Sequence, residues 1–250
     1  MAEVRLDVAL VQRGMVPSRE RAQEAIAASL VRVNGAVVTK AARKVDEGDQ
    51  LELLGDPIGY VGRGGLKLEG ALDRFGVTVA GRVCLDVGAS TGGFTDCLLQ
   101  RGARLVYAVD VGRDQLHPRL RQDPRVVVME GTDIRQVASL PEPPELVAID
   151  VSFISLALVL PAAVRLMAPG ARIIALIKPQ FEVGPAGVGK NGIVKDPKQH
   201  RRAVDRVLGA ATALGLVPGE VIESPVLGTE GNREFLVSMF CATDSPERGC

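Results

Sequence analysis

Apolar positions recur every three or four residues at the start of the chain. In "RLDVALVQRG", Leu6, Ala9 and Leu10 fall on one helical face, and Gly14 stands where that helix should stop. "PSRERAQEAIAASL" brings Ser18 as an N-cap and sets Ala22, Ala25, Ile26 and Leu30 at the same spacing. The period then changes. "VRVNGAVV" holds two β-branched runs around Asn34–Gly35, the pair that a type I′ hairpin turn favours, and "VDEGDQLEL" adds a turn and a further strand. The pattern predicts a small α+β domain over residues 1–54, with no nucleophile or acid–base pair in it.

Residues 55–65, "GDPIGYVGRGG", have the glycine and proline density of a linker. Beyond them short apolar runs alternate with longer amphipathic ones. Strands are expected at Val83–Val87, Leu105–Val109, Val126–Met129, Leu146–Ile149, Arg172–Ile177, Val217–Glu223 and Glu234–Phe240. Helices are expected at Thr91–Arg101, Ser155–Met167 and Pro197–Leu214. This alternation implies an α/β domain built on a mostly parallel, doubly wound sheet over residues 66–243, followed by a tail at 244–250. In such sheets ligands bind beyond the carboxyl ends of the strands, near the point where strand order reverses.

Composition adds little for the whole chain and more for its parts. The 250 residues are 46% hydrophobic and 24% charged, as in an ordinary globular protein, and thirty basic residues balance thirty acidic ones. From Val4 to Val45, however, eight cations (Arg5, Arg13, Arg19, Arg21, Arg32, Lys40, Arg43, Lys44) face three acids, leaving +5. A compact basic segment on a neutral body suits phosphate contact, and Arg63 of the linker adds one more cation. The cysteines Cys84, Cys97, Cys241 and Cys250 show no metal-ligand spacing with the two histidines, so no metal is expected. No leader-like segment opens the chain, and the apolar stretch Ile154–Val164, broken by Pro161, is far short of the ~18–20 residues of a membrane span. A cytoplasmic protein without membrane contact is expected; oligomeric state is not legible.

The chemistry concentrates at strand ends. "CLDVGASTGGF" puts Asp86 and Gly88 at the end of the first strand, and its glycines run into a helix whose start offers free N–H groups. Asp110 closes the next strand, 22 residues after Gly88, where an acid bonding adenosine ribose hydroxyls belongs. Ser90 stands where a dinucleotide fingerprint has its middle glycine, which disfavours pyrophosphate and favours S-adenosylmethionine. Three more charges end or open strands: Asp150 after "ELVAI", Lys178 after "ARIIALI" and Glu234 before the last apolar run. With Lys67 upstream they form a two-lysine, two-carboxylate set.

The motifs "GRGGLKL", "DVGASTGGF", "DVSFISL", "LIKPQFE" and "GNREF", in this order, resemble the TlyA (haemolysin A) rRNA methyltransferases, whose catalytic domain is of the FtsJ/RrmJ-like ribose 2′-O-methyltransferase class. "RLDVALV", "SRERAQEAI", "VRVNG" and "EGD" are similar to the RNA-binding domain named after small-subunit ribosomal protein S-four. The resemblance implies a Rossmann-like S-adenosylmethionine-dependent methyltransferase sheet behind an RNA-binding domain, with ribosomal RNA or ribosomal subunits as partner and cytidine riboses as target. It implies catalysis by Lys67, Asp150, Lys178 and Glu234. It also implies cofactor contacts at Asp86, Gly88, Ser90, Thr91, Gly92, Gly93 and Phe94, at Asp110, and at Asp133 of "GTDIR". Arg5, Arg19, Arg21, Arg32, Lys40, Arg43, Lys44 and Arg63 are the expected RNA contacts. A lysine base requires its pKa to fall, which a second lysine and partial burial favour, while carboxylates would orient it.

Three other readings compete. A base amino-methyltransferase would carry Asn/Asp-Pro-Pro-aromatic where this chain has "DVSF". A membrane-lysing role finds no cationic amphipathic helix or apolar span. A non-catalytic ribosome-binding factor would lack cofactor binding. With 3% aromatic residues and no tryptophan, stacking across a sheet is a poor basis for RNA recognition, and shape and phosphate contacts are expected to dominate.

Overall fold

The structure, a computed structural model, describes residues 3–16, 18–55, 59–228 and 231–241. Pro17, the middle of the expected linker (56–58), residues 229 and 230 of "GTEGN", and the expected tail at 244–250 lie outside the described residues. The chain divides into two compact units, Met1–Gly59 and Tyr60–Cys250.

In the first unit β1 (Val4–Arg5) leads directly into α1 (Leu6–Gln12), whose face of Leu6, Ala9 and Leu10 is buried. Helix α2 (Arg19–Ala27) starts at Ser18, whose Oγ accepts from Arg21 N at 3.2 Å. Its buried face of Ala22, Ala25 and Ile26 packs on α1. β2 (Val31–Val33) and β3 (Ala36–Val37) form the hairpin around Asn34 and Gly35, at φ 52° and 78°. Both values are positive, as a type I′ turn needs. β4 (Lys44–Val45) pairs with β1, and β5 (Leu51–Leu53) pairs with β2.

The second unit opens with α3 (Gly64–Arg74), so the last two glycines of the expected linker are helical. The first parallel strands and their helices follow as β6 (Val83–Val87), α4 (Gly93–Gln100), β7 (Leu105–Asp110), α5 (Pro118–Arg121) and β8 (Val126–Glu130). Next come β9 (Leu146–Ile149), α6 (Leu156–Leu166), β10 (Arg172–Ile177) and α7 (Pro179–Glu182). The unit closes with α8 (Pro197–Ala213), β11 (Leu216–Glu223) and β12 (Phe235–Cys241).

Sheet order is β11-β12-β10-β9-β6-β7-β8, with β12 the antiparallel insertion between β10 and β11. The chain runs outward from β6 through β7 to β8 and then returns to β9 on the other side, so order reverses between β6 and β9. The apolar core joins Leu85, Val147 and Ile173 of the strands to Leu160 of α6 and Ala203 and Val207 of α8. Cys84 is wholly buried, in keeping with a small hydrophobe. Among the described residues no helix is long and apolar enough to cross a membrane.

Candidate active site

The first cleft forms where β6, β7 and β9 end side by side. Gly88, Asp110 and Asp150, which close those three strands, line a cleft of about 610 Å³, together with Ser90, Gln115 and Asp133. That volume is within the ~300–1,000 Å³ usual for cofactor sites. Asp110 fastens its floor: Oδ2 accepts from Ser90 N at 2.8 Å and Oδ1 from Gly112 N at 2.7 Å. Each carboxylate oxygen can accept a further donor. Gly88 has φ +87°, and a Cβ there would lie 2.3 Å from the Asp150 carbonyl oxygen, so glycine is required twice over. Asp133 also caps a short 3₁₀ turn and pairs with Arg135 at 2.6 Å, which holds its carboxyl below the ordinary range.

Five expected cofactor residues are absent from this wall. Asp86 is wholly buried beneath the loop, where its Oδ2 accepts from Thr95 Oγ1 at 2.6 Å. Its Oδ1 has no hydrogen-bond partner among the described residues. Burial, reinforced by the negative charges of Asp150 and Asp110, pushes its carboxyl up to about 7. Thr91 is exposed outside the cleft, and Phe94 is buried under the start of α3. Gly92, at φ +98°, faces Leu116 and Leu120. Gly93 serves packing: a Cβ there would be 3.0 Å from Gly65 N and 3.2 Å from Gly62 O. The two glycine clusters of the sequence therefore touch, and the starts of α3 and α4 meet backbone to backbone.

That contact brings Lys67, one turn into α3, to the strand ends. A Cβ on Gly64 would lie 3.8 Å from Asp150 Oδ2. Lys67 Nζ donates to Glu234 Oε2 at 2.6 Å, and both residues are buried, at 8% and 3% exposure. Lys178 Nζ stands 2.6 Å from Asp150 Oδ1 and donates to Ser152 Oγ at 2.9 Å. The Asp150 contact is an ion pair without hydrogen-bond alignment, since its Oδ1 has no directed donor among the described residues. A second cavity, of about 350 Å³, is lined by Lys178 and Glu234, one member of each pair. Ser152 and Phe153 line both cavities, so the two adjoin. The structure brings all four expected catalytic residues together. Each lysine is partnered by one carboxylate, Lys67 by Glu234 and Lys178 by Asp150.

Phe153 escaped the sequence reading. It is 92% exposed, has φ +65°, and its ring lies 5.2 Å from that of Phe181, tilted by 52°. Holding an aromatic at positive φ and in solvent costs free energy, which makes Phe153 a candidate for a functional role. The available signal was "DVSF" itself, an aromatic directly after a strand-end acid.

In the first unit, Asp7 is buried and gathers Arg5 at 2.9 Å, Arg19 at 3.1 Å and Gln23 at 2.8 Å. Arg21 approaches Glu24 at 4.0 Å and Arg32 approaches Glu52 at 3.9 Å. Arg13 is used structurally, donating to the carbonyls of Asp46 and Asp49. Lys40, Arg43 and Lys44 are exposed and make no ion pair among the described residues. Arg63 sits just before α3, in the second unit.

Comparison with known proteins accords with this arrangement. The FtsJ-like methyltransferase family matches residues 60–240, and the S4 domain matches residues 4–51. The 16S/23S rRNA (cytidine-2'-O)-methyltransferase TlyA of Mycobacterium tuberculosis is 46% identical over 96% of this chain and 91% of its own length. A solved structure from Streptococcus thermophilus, 44% identical, superposes with TM-score 0.75 over 98% of this chain and 90% of that one. At 15% identity, an S-adenosylmethionine dependent methyltransferase from Mesorhizobium loti shares the fold, with TM-score 0.55 over 72% of this chain and the whole of that one. An S4 domain followed by an FtsJ-like sheet, matched along nearly its whole length by a TlyA enzyme, shows that this chain belongs to the TlyA family of FtsJ-like methyltransferases.

Proposed function

We propose that the chain transfers a methyl group from S-adenosylmethionine to a ribose 2′-hydroxyl of ribosomal RNA, on cytidine as in the named activity of its TlyA relative. The observation that carries this reading is the junction of two cavities across Ser152 and Phe153, with one member of each lysine–carboxylate pair lining the second.

S-adenosylmethionine fits the first cleft on charge. Asp110, Asp133 and Asp150 line it, the last two paired with Arg135 and Lys178, so the phosphates of a dinucleotide would meet carboxylates, whereas a sulfonium and an ammonium are attracted. Once bound, the cofactor supplies an electrophilic methyl group. Asp110 and Ser90 would hold its ribose and Asp133 its adenine end, while Gly92, Gly93, Thr91 and Phe94 shape the loop from outside.

The second cavity receives the nucleotide. Lys178 takes up the hydroxyl proton once its own ammonium has released one, while Asp150 and Ser152 fix the position of its Nζ. Lys67, held by Glu234, supplies positive charge beside the attacking oxygen. Phe153 and Phe181 offer ring faces on which the acceptor base can stack, a local platform in a chain otherwise poor in aromatics.

Single-turnover methylation of rRNA from cells lacking the gene tests the assignment. Lys178→Ala should lose at least ~10²-fold in rate, with cofactor affinity by calorimetry unchanged. Lys178→Arg should be nearly as slow, because guanidinium keeps its proton. An arginine variant near wild-type rate would make Lys178 an electrostatic clamp and remove the base.

A further inference from the structure

We infer that the start of α8 and the loop before it form a second RNA-backbone contact, on the catalytic unit itself, that grips phosphates flanking the acceptor nucleotide. The inference rests on the chain being an RNA-acting enzyme, and adds where the catalytic unit holds that RNA.

The first observation concerns counter-charges. Arg74, Arg101, Arg104, Arg121, Arg125 and Arg233 of this unit each close on a carboxylate. Lys190, Lys195, Lys198, Arg201 and Arg202 are all exposed, and none has a carboxylate partner among the described residues. The one acid within that stretch, Asp196, is occupied as the cap of α8, accepting from Lys198 N at 2.9 Å. Desolvating such cations against phosphate breaks no existing ion pair, and each contact releases condensed counterions from the RNA.

The second observation is placement. Lys198, Arg201, Arg202 and Asp205 follow one another at i, i+3, i+4 and i+7, so they share one face of α8, and they line an open groove of about 370 Å³. The face carrying His200, Ala203 and Val207 is buried in the sheet packing. The groove is tied to the acceptor cavity through the chain. Val188 and Gly192, on either side of Lys190, line that cavity. Asn232, two residues from Glu234, donates to Gly192 O at 3.0 Å and accepts from Val194 N at 2.9 Å. Val194 O in turn bonds His200 Nε2 at 2.8 Å, which fixes the loop to α8. One hydrogen-bonded path thus runs from the catalytic carboxylate's neighbour to the buried face of α8, which fixes the helix whose opposite face carries the cations; on this inference, RNA leaving the cavity over Gly192 meets Lys190 and then those cations. Asp205 on the same face trims the attraction without cancelling it.

The test is the full-length triple variant Lys198→Gln, Arg201→Gln, Arg202→Gln, with ribosomal subunits from cells lacking the gene as the RNA probe. Binding is measured from 50 to 200 mM salt. Losing three phosphate contacts should flatten the log–log salt slope by about 2 and weaken binding roughly 10- to 100-fold near 150 mM salt, with S-adenosylmethionine affinity by calorimetry unchanged. An unchanged slope and RNA affinity would overturn the inference, as would wild-type protein that binds no RNA at all. If wild-type protein binds RNA with the expected difference yet leaves no 2′-O-methyl mark, the contact surface stands and the proposed reaction falls.

Discussion

The Lys67–Glu234 pair allows stability and catalysis to be separated. Both groups are nearly withdrawn from water and 2.6 Å apart, so each depends on the other to offset its desolvation. Lys67→Ala leaves a carboxylate buried without its cation, which typically costs about 3–5 kcal/mol. For a unit of this size, at ~2–4 °C per kcal/mol, the melting temperature should fall by roughly 6–20 °C. Replacing the pair with apolar groups of similar volume, Lys67→Met with Glu234→Leu, removes the uncompensated charge and should restore most of that stability. Calorimetric unfolding and single-turnover methylation are then read side by side. The double variant should be folded, bind S-adenosylmethionine and remain inactive, since the charge beside the attacking oxygen is gone. Lys67→Ala melting within ~1 kcal/mol of wild type would refute the burial argument. A double variant that methylates rRNA at wild-type rate would refute the catalytic one.

Three further outcomes follow from individual contacts. Asp110→Ala should weaken S-adenosylmethionine binding by roughly one to two orders of magnitude, because hydrogen bonds to a charged group are worth about 1.5–3 kcal/mol each; calorimetry giving wild-type affinity would remove Asp110 from the site. Gly92→Ala must hold φ +98° with its new Cβ 2.2 Å from Leu120 Cδ1, and the two penalties together should cost about 2–5 kcal/mol in urea unfolding; a loss under ~1 kcal/mol would mean that the leucines yield freely. Asp86 titrates at about 7 folded against 3.8 unfolded, so it contributes stability that is complete below pH 4 and lost as pH rises through 7, on the order of 4 kcal/mol in all. Asp86→Asn should flatten that decline between pH 4 and pH 7, and an unchanged slope would contradict the burial of its charge.

What the sequence disclosed depended on whether the determining contacts were local. Ser18, the Asn34–Gly35 turn and the β6, β9 and β10 runs are set by neighbours a few residues away, and periodicity alone found them. The strand-end charges were legible for a related reason: a parallel sheet sends every strand's carboxyl end to one edge, so Asp110, Asp150 and Lys178 had to converge once the strands were assigned. Lys67 and Glu234 lie 167 residues apart; the sequence groups them in one charged set, but no local pattern reports that α3 meets the start of β12 and pairs these two directly. The glycines of Gly62–Gly65 read as a linker by composition, yet they are there because Gly93 comes within a Cβ's width of them. Glycine density signals either a chain that needs freedom or two backbones that need to approach, and only the tertiary packing tells these apart. The same ambiguity explains Asp86: an acid before a glycine loop reads as a ligand contact, while its burial beside Asp110 and Asp150 gives it an electrostatic part from behind the wall. Its proton, rather than a direct contact, is the property of Asp86 that cofactor binding should sense.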